Sequence, residues 1–396
     1  MTNTIKLPQL AWYEPKELEL PLPDSWQVEV CNMAGYNRPA MTNNQIKASV
    51  TNLIGTPPIR ELARGKKEVV IIFDDMTRGT KVARIVPFVL EELAEAGIPD
   101  SKIRFIAATG THQAMKRTDF VKKLGEATLS RFRVYNHNPF DNCTYVGTTS
   151  YGTKVFVNEE VMKCDFKITI GSVTSHVFAI FSGGGKMILP GVCSIETIMA
   201  NHSLPLTEQE LHDYDTNHRR LDMEEAAKLV GLDVAIECIL NLWGDTVAIF
   251  AGAEIPAHAA SVQNAATHYL TTRAEDKDIV IANNFIKAGE ATTTLKAADS
   301  VRQSGGDLVV IANAPQGQIF HYLLERWKER FPIPPHLSHL ILFTEYPDIV
   351  GAEYFEDSPK LLLMSTWDDV LRALQEFHGD SATVAVYPNA DILYFG

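Results

Sequence analysis

Five short stretches of the sequence carry the residue types that chemistry needs. Asp74-Asp75-Met76-Thr77-Arg78-Gly79-Thr80, Thr109-Gly110-Thr111-His112-Gln113 and Thr174-Ser175-His176 each follow an apolar, β-branched run. Open α/β sheets bind ligands at the carboxyl ends of their strands, so carboxylates, an arginine and two histidines would meet on one rim. The strongest local signal is Phe181-Ser182-Gly183-Gly184-Gly185-Lys186-Met187-Ile188-Leu189-Pro190-Gly191. Consecutive glycines expose backbone N–H groups and let an anion approach closely. The lysine directly after them suits a phosphate loop, although the spacing is not that of G-x-x-x-x-G-K-[ST]; the bland alternative, a flexible loop with a solvated lysine, stays open. Asn201-His202-Ser203 follows, so His176, Lys186 and His202 are spaced H-x9-K-x15-H. No H-x-x-x-H pair exists, which speaks against a zincin site. His137 lies in Tyr135-Asn136-His137-Asn138-Pro139 and reads as a turn residue. His212, His218, His258 and His268 fall on polar helical stretches and read as surface or core histidines.

Such residues need rigid supports, and the surrounding pattern supplies them. Residues 68–73 (EVVIIF), 102–108 and 166–173 read as buried strands. Residues 82–97 have apolar positions at helical spacing and end on a glycine, 114–131 read as a polar amphipathic helix, and 222–230 open with acid in the first turn. From about Asp276 the alternation restarts, with strands at 278–282, 308–312, 339–343 and 383–386 and helices at 289–303, near 320–330 and at 367–377. This pattern predicts an α/β protein of two domains, each a mostly parallel sheet with flanking helices. Residues 1–272 form the N-terminal unit that carries the reactive residues, its first 60 or so read as short strands and turns. Residues 276–382 form a smaller, Rossmann-like C-terminal unit closing over the substrate, and residues 383–396 return to the first unit.

The chain has 396 residues, and 36 Lys and Arg against 49 Asp and Glu give a net charge of −13. That balance argues against nonspecific nucleic-acid binding and against docking on an anionic membrane, both of which need clustered cations. Cys31, Cys143, Cys164, Cys193 and Cys238 are odd in number and form no C-x-x-C, so neither a disulfide framework nor a thiolate zinc site is expected. The opening residues lack the basic flank and apolar run of a secretory signal, and no apolar run approaches the ~18 residues of a membrane span. The expectation is a cytoplasmic protein.

Taken in order, D-x-T-R (Asp75 to Arg78), G-T-H (Gly110 to His112), H-x9-K within S-G-G-x-K-x-I-L-P-G, and N-H-S (Asn201 to Ser203) resemble the LarA family of nickel-pincer-nucleotide-dependent lactate racemases. Residues 222–227 and 251–253 also look like that family, and the resemblance runs from about residue 60 to the C-terminus. It implies a nickel-pincer nucleotide, pyridinium-3-thioamide-5-thiocarboxylic acid mononucleotide with nickel, tethered covalently to Lys186 and with His202 as the protein's nickel ligand. It implies Asp75, Thr77, Ser182, Gly183 and Gly184 as contacts of the nucleotide and His112 and His176 as paired acid/base groups. Arg78 is implied to hold the substrate carboxylate, and cofactor-synthesis proteins are implied as partners. The implied activity is racemisation or epimerisation of a 2-hydroxy acid. Its C2–H is very weakly acidic, and the family moves that hydrogen as hydride to the cofactor while a base takes the hydroxyl proton. Imidazole suits the proton's part because its pKa lies near working pH, and a guanidinium grips both carboxylate oxygens.

The sequence departs from the family at defined places. Gly79 stands where Pro commonly follows D-x-T-R, and residues 175–181 stand for an aromatic-rich P-H-x-x-A-G-F lead-in. The family's substrate-facing Q-x-x-K pair falls on Glu290 and Thr293. A carboxylate there points away from lactate and from a small dicarboxylic acid, and toward a hydroxyl-rich sugar acid with Glu290 as acceptor; alternatively Lys287 or Lys296 takes over the lysine's part. Two other classes compete. A non-catalytic nucleotide- or hydroxy-acid-binding protein on the same scaffold would not need Lys186, His202, His112 and His176 together. A metal hydrolase using rim His and Asp lacks a close-spaced ligand pair.

Overall fold

The computed structural model describes residues 3–328, 330–347 and 353–396. Two six-stranded sheets organise them. Across the first, the strands are Arg133–Asn136, Ile103–Ala108, Val69–Asp74, Phe166–Ser172, Val234–Leu240 and Thr246–Gly252. All neighbours are parallel except the last pair. The chain therefore winds outward one way from Val69–Asp74 and then the other way from Phe166–Ser172. Ligands of doubly wound sheets sit outside the carboxyl ends at such a reversal. Every residue of Val69–Asp74 and of Phe166–Ser172 is buried, because helices cover both faces, and this is why these strands read as unbroken apolar runs.

The second sheet, parallel throughout, orders Leu361–Met364, Leu337–Phe343, Gly306–Ile311, Ile279–Asn283, Thr383–Tyr387 and Gln27–Val30. Its order reverses between Ile279–Asn283 and Thr383–Tyr387. Both expected limits of the units shift accordingly. Gln27–Val30 lies in the second sheet, and Leu7, Leu20 and Trp26 from the same N-terminal stretch share a core with Ile281 and Val309, so 1–272 is not one unit. Thr383–Tyr387 is an inner strand of the second sheet, and the return to the first unit begins only after it. Ile392 joins the first unit's core, and the Tyr394 N–H donates to the Tyr269 carbonyl at 2.9 Å.

Two expected helices differ. Residues 114–131 form two helices, Arg117–Leu124 and Glu126–Arg131, parted at Gly125. Ala291–Ser300 is a 3₁₀ run rather than an α-helix. There the hydroxyls of Thr293 and Thr294 donate to carbonyls three residues back, each at 2.8 Å, the local competition that makes Thr a poor helix interior. All five cysteines are free. Among the described residues no helix is long and apolar enough to cross a membrane.

Candidate active site

The two reversal points open onto one cavity of about 910 Å³, near the upper end for small-molecule sites. Residues after Val69–Asp74 and Phe166–Ser172 line one side, and Lys287 and Asp391, after Ile279–Asn283 and Thr383–Tyr387, line the other. Of the residues singled out in the sequence, Asp75, Thr77, Arg78, His112, His176, Ser182, Gly183, Lys186, His202, Glu290 and Thr293 all line this cavity.

The loop that presents Asp75, Thr77 and Arg78 is held from beneath by a buried ion pair. Lys123, fully buried, places Nζ 2.6 Å from Asp74 Oδ1 and donates to the carbonyls of Arg78 at 2.7 Å and Thr80 at 3.3 Å. Asp74 Oδ2 accepts from the Thr80 hydroxyl at 2.5 Å and from the Ser172 N–H at 3.1 Å, tying the loop to the neighbouring strand. Gly79 fits because a Cβ there would lie 2.9 Å from Leu240 Cδ1 and 3.0 Å from Ile286 Cγ2.

On this base stands a closed circuit of polar contacts. Asp75 Oδ1 accepts from the Thr77 N–H at 3.0 Å and from its hydroxyl at 2.6 Å, while Asp75 Oδ2 lies 2.6 Å from His112 Nδ1. Arg78 Nη1 donates to the Thr77 hydroxyl at 2.7 Å and to Glu290 Oε2 at 3.1 Å. Glu290 Oε1 closes the circuit 3.6 Å from His112 Nε2. Burial works against charge on Asp75, His112 and Glu290, but their partners prevail. His112, Arg78 and Thr77 hold Asp75 well below the usual carboxylate range against that burial. Burial likewise opposes the His112 imidazolium, yet Asp75 and Glu290 raise its pKa. Glu290 stays below its ordinary value because Arg78, His112 and Lys287 outweigh its burial. The two carboxylates beside His112 thus favour its charged form.

His176 sits in the opposite field. Burial, then Lys186, Arg78 and Lys287, push it well below its ordinary value, so the ring is neutral. Its Nδ1 accepts the Phe178 N–H at 3.1 Å, which leaves the ring proton on Nε2. The tiny hairpin Ser175–His176 with Ile180–Phe181 fixes this turn.

The glycine run works differently from the sequence expectation. Gly184 does not line the cavity, and its N–H is spent on the Glu237 carboxylate. A Cβ on Gly184 would meet the His258 ring at 2.7 Å, and one on Gly185 the Met223 carbonyl at 2.6 Å. The glycines therefore serve close packing beneath Lys186, upon a buried Glu237–His258 pair at 2.9 Å. The Ser182 hydroxyl is also turned to backbone, donating to the Ser172 carbonyl at 2.9 Å and accepting the Thr174 N–H at 3.0 Å. The Lys186 amine is pushed down to about 7 by burial and by Arg78, with no hydrogen bond contributing. His202 ends the helix Ile195–His202; burial and Lys186 hold it well below its ordinary value. Its buried Nδ1 makes no well-formed hydrogen bond and has only the Ile198 carbonyl beside it.

The second unit supplies what local patterns could not assign. Lys287 Nζ donates to the Ser175 carbonyl at 3.1 Å, and Lys296 Nζ to the Ser175 hydroxyl and the Leu393 carbonyl, both at 2.7 Å. Burial lowers these amines to about 8 and about 7. The Thr293 hydroxyl donates to the Glu290 carbonyl at 2.8 Å. His321, unremarkable in sequence, joins the cavity with its ring 5.0 Å from that of His112. His137 is structural, its Nε2 2.8 Å from the Cys193 carbonyl. Among the described residues no group of three or more His, Cys, Asp or Glu side chains is arranged to hold a metal ion by itself.

A doubly wound scaffold thus gathers Arg78, Lys186, Lys287, Lys296 and two histidines of opposite electrostatic setting around one cavity, the features of a small-molecule enzyme site. Residues 13–213 match the family model described as the lactate racemase N-terminal domain. The lactate racemase of Lactiplantibacillus plantarum is 30% identical over 399 aligned residues, covering 91% of this chain and 92% of that one. The lactate racemase of Thermoanaerobacterium thermosaccharolyticum is 28% identical over 319, covering 77% and 74%. The solved lactate racemase apoprotein from the latter organism superimposes with a TM-score of 0.75 at 23% identity, covering 99% of this chain and 100% of that one. The chain belongs to the lactate racemase family, and as such it is an isomerase of the racemase type acting on a small molecule.

Proposed function

We propose that the protein racemises or epimerises a 2-hydroxy acid at C2, using the nickel-pincer nucleotide of its family. The observation that carries this reading is the opposed pair His112 and His176 around one cavity with Arg78, Lys186 and His202. Lys186 and His202 suit the cofactor. An amine lowered to about 7 has a substantial neutral, nucleophilic fraction near neutral pH, fit for a covalent tether. A neutral imidazole that borders the cavity, its Nδ1 beside the Ile198 carbonyl, is fit for one bond to nickel through its other nitrogen. Asp75, Thr77 and Gly183 line the space in which the nucleotide would lie. The cofactor, when bound, accepts and returns the hydride from C2.

The chain's own residues do the rest. Arg78 uses only Nη1 in its contacts with Thr77 and Glu290, so its Nε–Nη2 edge is available to a substrate carboxylate. His176, once its Nδ1 lone pair is released from the Phe178 N–H, takes the hydroxyl proton of one enantiomer, and His112 gives a proton to the oxygen of the 2-oxo intermediate as the other enantiomer forms. Asp75 keeps His112 oriented and able to carry charge. Closing the second unit over the cavity keeps water from the planar 2-oxo intermediate.

The test is intact mass and nickel content after co-expression with cofactor-synthesis proteins. A nucleotide-sized adduct that maps to Lys186, with nickel and with interconversion of 2-hydroxy-acid enantiomers or epimers, is the expected result. Nickel and adduct without interconversion of any 2-hydroxy acid would favour a binding protein on this scaffold.

A further inference from the structure

His176 stands on the smallest element of the site. The hairpin of Ser175–His176 with Ile180–Phe181 consists of two residue pairs. Within it Ile180 has φ +63°, a left-handed backbone that a β-branched side chain rarely adopts. Such a turn keeps its shape only where its surroundings over-determine it. Two lysines of the second unit supply that support. Lys287 Nζ donates to the Ser175 carbonyl at 3.1 Å, and Lys296 Nζ to the Ser175 hydroxyl at 2.7 Å. The C-terminal return fixes both lysines in turn. Asp391 Oδ2 accepts the Lys287 N–H at 2.7 Å, and the Leu393 carbonyl takes a second proton of Lys296 Nζ at 2.7 Å.

Packing alone gives no reason for ammonium groups here. Each amine donates to neutral oxygens, and burial lowers the two to about 8 and about 7, so an apolar side chain of the same length would cost less. What the two amines share is Ser175, the residue that leads into His176. Ser175 must stay fixed while the His176 ring gives up the Phe178 N–H to take a proton. We propose that Lys287 and Lys296 are positioning residues for His176, acting through Ser175 to hold the base rather than the substrate carboxylate. This inference rests on the racemase reading for the part that His176 plays.

Lys287→Met and Lys296→Met nearly keep the length of the side chain and remove the charge, and Ser175→Ala removes only the hydroxyl. Hydrogen exchange of residues 173–181 is followed by mass spectrometry in the cofactor-free proteins. In the cofactor-loaded proteins the absorbance change of the first turnover is timed on mixing with the D and the L form of lactate and of glycerate. Affinity for each acid is read from the concentration dependence. Loss of a hydrogen bond from a charged donor predicts exchange at least ~10-fold faster in either lysine variant. First turnover should slow by a similar factor for one enantiomer only, the one that His176→Ala also slows, with affinities little changed. Ser175→Ala combined with Lys296→Met should be little worse than Lys296→Met, since the two remove one shared contact. Unchanged exchange overturns the inference. So does equal slowing of both enantiomers, or weaker binding of both at an unaltered rate, which would make the lysines substrate ligands. No absorbance change with any of the acids in the unaltered loaded protein would instead count against the racemase reading, and exchange at 173–181 would then still decide whether the lysines hold the hairpin.

Discussion

Asp75→Asn is the substitution that most directly tests how the site assigns its protons. The Asp75 carboxylate lies 2.6 Å from His112 Nδ1, in a buried setting, and Asn keeps the size and one acceptor while removing the charge. A hydrogen bond to a charged buried group is worth ~1.5–3 kcal/mol, which is ~10–150-fold in rate if it is lost in the step that loads a proton on His112. In the direction that uses His112 as base, kcat/KM rises with pH as the imidazolium deprotonates. In the reverse direction, with His112 as acid, it falls through the same ionisation. Because Asp75 raises the His112 pKa, its neutralisation moves both limbs toward lower pH. The limb that belongs to His176 stays in place, since its low value comes from burial and from Lys186, Arg78 and Lys287.

The assay is the pH dependence of kcat/KM in both directions, with rates divided by cofactor content because Asp75 also borders the nucleotide space. Thermal unfolding supplies an independent check. The ion pair stabilises the fold where the carboxylate is charged and the imidazole protonated. Its His112 part is fully present below the unfolded imidazole pKa of ~6.5 and fades as pH rises through the higher folded value. The Asp75 part fades as pH falls through the depressed carboxyl value. The stability gap between the two proteins should therefore be widest at mildly acidic pH. Limbs that keep their wild-type positions, with a loss of rate uniform in pH, would refute the claim that Asp75 sets the protonation of His112.

Lys186→Ala should abolish the adduct and activity and leave the fold intact; an adduct mapped by peptide mass spectrometry to another lysine contradicts it. His202→Ala should keep the organic adduct and lose most nickel by metal analysis, since one ligand of a pincer site is removed. Lys123→Met should destabilise the protein by about 3–5 kcal/mol in urea unfolding, because it strands the buried Asp74 charge, and Asp74→Asn in the same chain should recover part of that loss. His112→Ala and His176→Ala should each lower racemisation by ~10²–10⁴-fold, and the double variant should be little worse than either.

The legible part of this sequence was the part written in one place. Val69–Asp74, Ile103–Ala108 and Phe166–Ser172 announce themselves as apolar runs, and their carboxyl ends put Arg78, His112 and His176 on one rim without knowledge of the sheet order. Val234–Leu240, equally buried, carries Glu237 in its middle, a polar residue spent on Gly184 and His258 that hides the strand. The order of the second sheet was not legible, because Gln27–Val30 pairs with Thr383–Tyr387 from the far end of the chain and no local pattern encodes such pairing. His321 was missed for the same reason. Its signal is a backbone pairing between His112 and His321, which exists only once the two units are packed. The glycine run was legible as special and misread in cause. Three glycines suggest exposed N–H groups, but Glu237, His258 and the Met223 carbonyl take up the space that side chains would need.

Two histidines close to one substrate must differ if they are to trade a proton, and here the difference is built by neighbours rather than by burial, which both share. His112 has carboxylates on both nitrogens, Asp75 at 2.6 Å and Glu290 at 3.6 Å. His176 is pushed down by burial and by Lys186, Arg78 and Lys287, with its Nδ1 tied to a backbone N–H. The neighbours therefore favour the charged form of His112 and the neutral form of His176, whose Nδ1 lone pair is held by the Phe178 N–H. Under the proposed reading the protein is set to receive the enantiomer whose hydroxyl faces His176 and to return a proton from His112. Each such turnover leaves the proton on the histidine that holds it less well, so either the reverse reaction or exchange with solvent must reset the pair. Pairs of titratable groups driven apart by their surroundings are how one fold supplies an acid and a base at the same pH. The circuit through Arg78, Thr77, Asp75, His112 and Glu290 ties that difference to the grip on the substrate carboxylate, because the arginine that would bind it also helps hold Glu290 against His112.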